Sequence, residues 1–517
     1  MNIGSLISLA SERNPDGTAF IWGEETFSYK EVAKRVDALA AALRSLGLQR
    51  GDRVAVFMPN CPQLLETYFA VWQAGACVAP LNARFVPEEV IYHVEDCRAR
   101  VIVFGEESRE AMAEVRDETD AVEEYVCLKN PAEGQRDYEA MLREHADAPR
   151  QMAEVSGGDP AWLFYTSGTT GRPKGAVLTH DNLSFVAVGW CADLMHLEPE
   201  DVGLHAAPLT HGAGLCALAL TTKAASQVIL TASGFEAEAF CDVVERHRIT
   251  NTWLVPTQIK RLIASPALER YDLSSLRYVV YGGSPMYVED IKEALRKIGR
   301  VFVQLYGQGE TPMTATYLRR EDHVGEGSEE LVRRLASCGY ARTGMEVKVF
   351  DDEDREVPRR EMGEICVRGP SVFKEYWERP EETAETLRGG WLHTGDLGNM
   401  DEHGYVYIMD RKKDMIISGG TNVYPREVEE VMLQHPAVQE ACVLGVPDES
   451  WGEATNAVVV LKPGVEAAAE ELMAFCARRM AGYKKPKSIH FVDELPKSAY
   501  GKVLKRELRA QYLQQTS

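Results

Sequence analysis

The sequence predicts an α/β protein: a large N-terminal body of layered sheets and helices, followed by a small α+β domain. Three observations carry this. Short apolar strands alternate with helical patterns through the first 300 residues, the rhythm of parallel sheets covered on both faces. A charged cluster, Asp410, Arg411, Lys412, Lys413 and Asp414, interrupts the pattern. About a hundred residues follow it, with strands and helices enough for a separate small domain. The expected division is therefore 1–410 and 411–517.

The elements follow in order. Ser28 and Glu31 have the spacing of a capping box, opening a helix over 29–46 that Gly47 ends. A strand is expected at 53–58, a helix at 63–73, and strands at 76–79 and 100–104. Residues 105–155 are charge-rich and weakly periodic, which predicts peripheral helix and loop without chemistry. Strands resume at 161–164, 252–255, 278–281 and 301–305. The last two each run into a glycine-bearing turn, Gly282-Gly283 and Gly307, and ligands of open α/β sheets bind beyond such strand ends. In the small domain the pattern gives helices at 425–433 and 470–480, and strands at 441–446, 457–461 and 489–492.

Composition narrows the function. The 517 residues are 45% hydrophobic and 26% charged, so an ordered globular chain is expected. A net charge of −22 disfavours a general role on nucleic acid or anionic lipid. No apolar run reaches the length of a membrane span, and the first residues lack the basic, uninterrupted pattern of a signal peptide. The eleven cysteines include no CxxC pair, which predicts a reduced, cytoplasmic-type compartment without disulfides or a zinc site.

The densest local signal runs from Tyr165 to Gly175. Thr166, Ser167, Gly168, Thr169, Thr170 and Gly171 lead through Arg172 and Pro173 to Lys174. Glycines let backbone amides turn toward an anion, the hydroxyls donate to phosphate oxygens, and the lysine adds charge. The same residue types populate polar hairpin turns, so the loop alone leaves both readings open. It is not the Walker pattern, which needs Lys and Ser/Thr directly after the last glycine.

This loop resembles the signature of the adenylate-forming superfamily, which holds acyl-CoA and aryl-CoA synthetases, luciferases and peptide-synthetase adenylation domains. Further motifs recur in the family order as far as Lys502, so the resemblance covers nearly the whole chain. It implies the adenylate-forming fold with a mobile small domain. It also implies a two-step reaction: a carboxylic acid and MgATP give an acyl-adenylate and pyrophosphate, and a thiol then takes the acyl group.

The resemblance assigns roles motif by motif. Tyr306, Gly307, Gln308, Gly309 and Glu310 are similar to a motif in which Glu310 binds Mg²⁺ and Tyr306 flanks the adenine. Gly309 departs from the usual Thr, whose hydroxyl is expected on the α-phosphate; Thr311 stands nearby. Gly283, Ser284 and Pro285 resemble the adenine-binding turn. Asp396, in Thr394-Gly395-Asp396, would hold the ribose hydroxyls. Arg411 would reach the ribose, and Lys413 matches the hinge. Ser418, Gly419 and Gly420 fit the loop lining the pantetheine tunnel. Trp451, Tyr483, Lys485 and Lys487 match positions that contact coenzyme A, although a solvated basic strip explains the last three equally well. Lys502 would bridge the acid and the α-phosphate, for which a compact charge on a long stem is suited.

For the acid, His211 fits the position beside the substrate carboxylate, and Gly212, Ala213, Tyr281 and Gly282 match the acyl pocket. Around His211, Gly212, Ala213, Gly214 and Ala217 are small, which leaves volume for a chain or ring. No acidic residue stands in 208–215 to pair an α-ammonium, which disfavours amino-acid activation. The first reading is an acyl-CoA synthetase for a medium- or long-chain fatty acid. Its alternatives are a coumarate-, ferulate- or benzoate-like aromatic acid, or loading of a carrier protein. A regulatory nucleotide-binding module without catalysis is a third class, opposed by the joint presence of Glu310, Asp396, Arg411 and Lys502. A homodimer is common in the family. Nine Lys/Arg gather between 478 and 506 against Asp493 and Glu494, where the phosphates of coenzyme A would sit.

Overall fold

The computed structural model describes residues 1–166, 172–231, 234–418, 421–448, 451–497 and 503–515, with the side chains of 313, 314 and 512–515 excepted. Four sheets organise these residues. The nine-stranded sheet runs, in spatial order, 340–341, 311–318, 302–308, 278–281, 251–254, 202–205, 226–229, 18–22 and 25–28. It is parallel through its middle and antiparallel at both edges. The seven-stranded sheet is parallel except where Pro160–Thr166 and Lys174–Thr179 pair as an antiparallel hairpin. These two sheets are the layered α/β body expected from strand–helix alternation.

Local rules set the helices that frame them. Ser28 accepts from the Glu31 amide at 3.2 Å, and Glu31 Oε2 accepts from the Ser28 amide at 2.8 Å, so the capping box closes both ways and opens the helix Tyr29–Ser45. Proline at the first turn opens Pro62–Gln73, Pro87–Asp96 and Pro256–Ala264, where its missing N–H has no helical partner to lose. The cysteines are buried small apolar groups, with Cys191 half-buried.

Two expectations are corrected. The stretch 105–155 is not merely peripheral: Glu124–Cys127 and Arg136–Asp137 extend the seven-stranded sheet at its edge. Their pattern is too short to stand out amid charged helix, and pairing with Ala99–Phe104 supplies what propensity does not. Gly307 does not end a strand. It lies inside Phe302–Gln308, and the turn falls at Gly309-Glu310 before the antiparallel return Thr311–Leu318.

A four-stranded antiparallel sheet, Glu346–Phe350, Gly363–Arg368, Leu392–Met400 and Val406–Arg411, closes the large body. The chain then passes through a short 3-10 turn, Lys412–Asp414, into a five-stranded sheet of Ile416–Ser418, Thr421–Val423, Val438–Asp448, Gly452–Leu461 and Ser488–Phe491. The helices Pro425–Leu433 and Ala469–Ala477 pack in one apolar cluster with this sheet. No helix among the described residues is long and apolar enough to cross a membrane.

Burial also sets a pH response. His180, His205 and His323 are each held at a pKa of about 4, chiefly because burial disfavours the imidazolium. In the unfolded chain they titrate near 6.5. Between these values the unfolded state binds more protons, so stability is full above about pH 6.5 and falls as pH drops toward 4. Urea midpoints measured from pH 7.5 to 5 are expected to decline, with a shallower decline in His205→Gln.

Candidate functional site

The site assembles where the nine-stranded sheet, the phosphate-loop hairpin and the four-stranded sheet meet. Its centre is Asp396, on the strand Leu392–Met400 and 5% exposed. Asp396 Oδ2 accepts from the Tyr306 hydroxyl at 2.7 Å and from Gln308 Nε2 at 2.8 Å. Its Oδ1 pairs with Arg411 Nε at 2.8 Å. Gln308 Nε2 also reaches the Thr394 carbonyl at 2.7 Å. The structure thus brings Tyr306, Gln308, Asp396 and Arg411 into one cluster. Tyr306 is buried, and burial together with the Asp396 charge raises its pKa well above the ordinary phenol value, so it is a donor at neutral pH. The Arg411 guanidinium is held charged by Asp396 above all.

The second carboxylate is Glu310, buried at the hairpin turn. Its Oε1 accepts from Thr166 Oγ1 at 2.9 Å and from the Tyr376 hydroxyl at 2.7 Å. Its Oε2 takes no hydrogen bond among the described residues. Thr166 ends the first strand of the phosphate-loop hairpin and Lys174 begins the second. Lys174 Nζ lies 5.3 Å over the Tyr376 ring and 3.8 Å from Glu382. Ser167, Gly168, Thr169, Thr170 and Gly171 lie outside the described residues, as do Gly419, Gly420 and Lys502.

The departure at Gly309 has a steric cause. A Cβ there would stand 2.3 Å from Thr166 Cγ2 and 2.7 Å from Phe164 Cδ1. Thr166 fills the space that a side chain at 309 would use. Thr311 does not stand in for it: fully buried, it shares a hydrogen bond with Ser371 Oγ at 2.8 Å.

The acid-pocket candidates divide. His211 stands at the residue before the helix Gly212–Lys223, and its ring lies 4.5 Å from Phe164. Gly212 and Ala213 follow in the first turn, buried. Tyr281 is not brought to them. Its neighbour Val280 belongs to the same apolar cluster as Phe164 and Ala213, while Tyr281 belongs to the cluster on the opposite side of the sheet. There its hydroxyl lies 3.0 Å from His323 Nε2 and 3.3 Å from Gln304 Oε1. Gly283 takes a left-handed φ of +83° at the turn with Ser284 and Pro285. Sequence reasoning missed Tyr376 and Phe164, for which no motif spacing gives a signal.

In the small domain, Lys413 is exposed in the turn after Arg411, and Ser418 is buried at the end of Ile416–Ser418. Trp451 and Tyr483 are exposed aromatics, and Lys487 Nζ sits 3.8 Å over the Trp451 ring. Lys485 is half-buried. The basic run is less open than its count suggests, because Lys484, Lys497 and Lys505 are paired with Glu427, Glu440, and both Asp410 and Glu429.

Comparison with known proteins supplies the frame. A family model described as AMP-binding enzyme matches residues 8–377, and one described as AMP-binding enzyme C-terminal domain matches 427–502. A feruloyl-CoA synthase of Amycolatopsis sp is 40% identical over 510 residues, 99% of each chain. A long-chain-fatty-acid–CoA ligase of Bacillus subtilis is 36% identical over 537 residues, 98% of this chain and 93% of the other. The crystal structure of an anthranilate CoA ligase in complex with anthranoyl-AMP superposes with a TM-score of 0.91 at 27% identity, covering 100% of this chain and 98% of that one.

The crowding at 309 is directly testable. Gly309→Ala is expected to lower stability by about 1–3 kcal/mol, the usual cost of overpacking, read from the urea midpoint. The double variant Gly309→Ala with Thr166→Ser, which removes the opposing methyl, is expected to recover part of that loss.

Proposed function

The chain belongs to the AMP-binding enzyme family and is an ATP-dependent acyl-CoA ligase, and from that premise we propose that its acid is compact and aromatic. The carrying observation is where the small residues spend their space. A Cβ on Gly214 would stand 2.2 Å from the Leu209 carbonyl oxygen and 2.9 Å from the Trp162 ring. A Cβ on Gly282 would stand 2.4 Å from the Leu305 carbonyl oxygen and 3.3 Å from the Trp253 ring. Glycine there permits close packing of backbone and indole and opens no channel for a long chain. Trp253 in turn packs 6.2 Å from Trp190, in the same apolar cluster as Phe164. Flat aromatic walls favour a ring by offset or edge contact. On this ground the aromatic alternative is preferred to the first reading, a medium- or long-chain fatty acid. The 40% identity to a feruloyl-CoA synthase supports it.

In the first step a carboxylate oxygen of the acid attacks the α-phosphorus of ATP, and the bond to the β-phosphate breaks with the electron pair leaving on pyrophosphate. In the second, the thiol sulfur of coenzyme A attacks the acyl carbon, AMP leaves, and the thiol proton is lost. Asp396 accepts from the ribose hydroxyls, its carboxylate aimed by Tyr306 and Gln308, with Arg411 following the ribose. Thr166 and Lys174 face the phosphates together with the loop between them. Gly283, Ser284 and Pro285 border the adenine, and His211 stands beside the acid. Lys502 bridges acid and α-phosphate. The small domain, 411–517, turns about Lys413, and Ser418, Trp451, Tyr483, Lys485 and Lys487 then meet coenzyme A.

Glu310 fits a magnesium ion. A buried carboxylate with one oxygen fixed by two hydroxyls and the other lacking a partner among the described residues is the single hard ligand Mg²⁺ takes beside substrate phosphates and water. The ion would neutralise phosphate charge there.

Two measurements test the reading. The kcat/KM for AMP release with ferulate or benzoate is expected to exceed that with dodecanoate at least tenfold; a faster dodecanoate reaction overturns the aromatic assignment. Lys502→Ala is expected to lose ATP–pyrophosphate exchange by about 10²–10³, the scale of one positioned transition-state donor. The same variant should still convert supplied acyl-AMP and coenzyme A to thioester.

A further inference from the structure

Both feet of the phosphate loop are fastened to one helix, Pro87–Asp96. On one foot the Tyr165 hydroxyl donates to Asp96 Oδ2 at 2.8 Å. On the other the Tyr92 hydroxyl donates to the Pro173 carbonyl at 2.6 Å. Asp96, 7% exposed, also accepts from Arg379 Nη2 at 2.6 Å, so it sets the arginine and the loop root together. The Arg172 guanidinium lies 5.4 Å over the Tyr92 ring. Between these groups is a cavity of about 270 Å³, lined by Tyr92, Arg172, Pro173, Lys174, Arg379 and Glu382. Three cations face it against one carboxylate.

The cavity adjoins the chemistry through Lys174. That lysine lines it, and lies over the Tyr376 ring, whose hydroxyl is on Glu310. Two of its cations are held in place before any ligand arrives, Arg379 by a buried carboxylate and Arg172 by an aromatic face. Arg172 makes no ion pair among the described residues. Preorganised guanidinium groups converging on one space are the arrangement that recognises phosphate oxygens in pairs.

We propose that this cavity is a binding site for inorganic pyrophosphate, which it receives past Lys174 as the leaving group of adenylate formation. The inference rests on the adenylate-forming reading of the site. Pyrophosphate left beside the acyl-adenylate is positioned to attack it and restore ATP. A pocket that draws this polyanion away from the α-phosphate, while keeping it screened by cations, separates the products before the thiol step. Arg172 and Arg379 are then binding residues for the leaving group, and Asp96 and Tyr92 position them.

Calorimetric titration of inorganic pyrophosphate into the nucleotide-free protein tests this without turnover. The wild type is expected to bind pyrophosphate, and Arg172→Ala and Arg379→Ala to weaken it at least tenfold, with Arg379→Lys recovering part. Arg172 is exposed, so its removal leaves the fold intact even where Arg379→Ala loosens the loop root. Arg98→Ala, which removes an equal charge from the neighbouring surface pair with Glu378, is expected to change affinity less than twofold. Unchanged pyrophosphate affinity in Arg172→Ala overturns the site, as does equal binding of orthophosphate or sulfate at matched ionic strength. A failure of the functional reading looks different: no ATP–pyrophosphate exchange with any acid, while pyrophosphate binding still depends on Arg172.

Discussion

The carboxylate of Asp396 is the interaction on which the site depends, because it joins two sheets that share no strand. Tyr306 and Gln308 belong to the nine-stranded sheet, whereas Asp396 and Arg411 belong to neighbouring strands of the four-stranded one. The four-stranded sheet is irregular on both sides of that position. Its pairing shifts between Glu364 and Cys366 on one edge and between Leu397 and Gly398 on the other. Gly395 adopts a φ of +69°, and its amide donates to Glu364 Oε1 at 2.9 Å. Bulges re-aim side chains at functional sites. Here they turn an aspartate out of the pleat toward the facing sheet, where a tyrosine and a glutamine satisfy one of its oxygens. The oxygen shared with Arg411 is the one a further donor can compete for.

The two carboxylates of the site are held by the same device. Each has one oxygen fixed by two neutral donors, Tyr306 and Gln308 for Asp396, Thr166 and Tyr376 for Glu310. Neutral donors orient a carboxylate without cancelling its charge, so the anion remains available to a diol or a cation. Among the described residues, Arg411 is the one cation paired with either of them, and it lies at the last residue of its sheet before the chain enters the small domain. On the proposed function, an arginine at that place would couple ribose binding to the segment that turns.

What could be read in the sequence follows the range of the forces involved. The capping box at Ser28 and Glu31 and the helix Pro425–Leu433 rest on contacts within a few residues, and their patterns are explicit; the strand Tyr278–Tyr281 pairs with distant strands but is legible as a short apolar run. The phosphate loop, Glu310 and Asp396 are legible as motifs, because such chemistry needs particular residue types at fixed spacing. Tyr376 on Glu310 and Phe164 on His211 are not, since 66 residues separate the first pair and an aromatic in an apolar run looks like core. Tyr281 illustrates the reverse: the family resemblance put it in the acyl pocket with Gly282, but strand alternation sends its side chain to the other face. Gly309 shows both limits, for the departure from the family pattern was visible and its cause, the methyl of Thr166, was not.

Charge repeats this lesson on the scale of the chain. A net −22 with nine cations between 478 and 506 reads as an acidic protein with one basic surface. Three of those cations are committed within the protein. Lys505 lies 3.6 Å from Asp410 and 3.5 Å from Glu429, both largely buried, and Lys484 and Lys497 pair with Glu427 and Glu440. Glu429 also accepts from the Tyr287 hydroxyl of the large body at 2.9 Å. Lys505 therefore neutralises carboxylates at the junction with the large body and offers little field to solvent. On the proposed function, steering of a polyanion would fall to a smaller set, with Lys487 over Trp451 in the small domain and Arg172 and Lys174 at the phosphate loop. Local pairs of cation and aromatic ring, set in an acidic surface, define where a phosphate can rest more sharply than a broad basic face would.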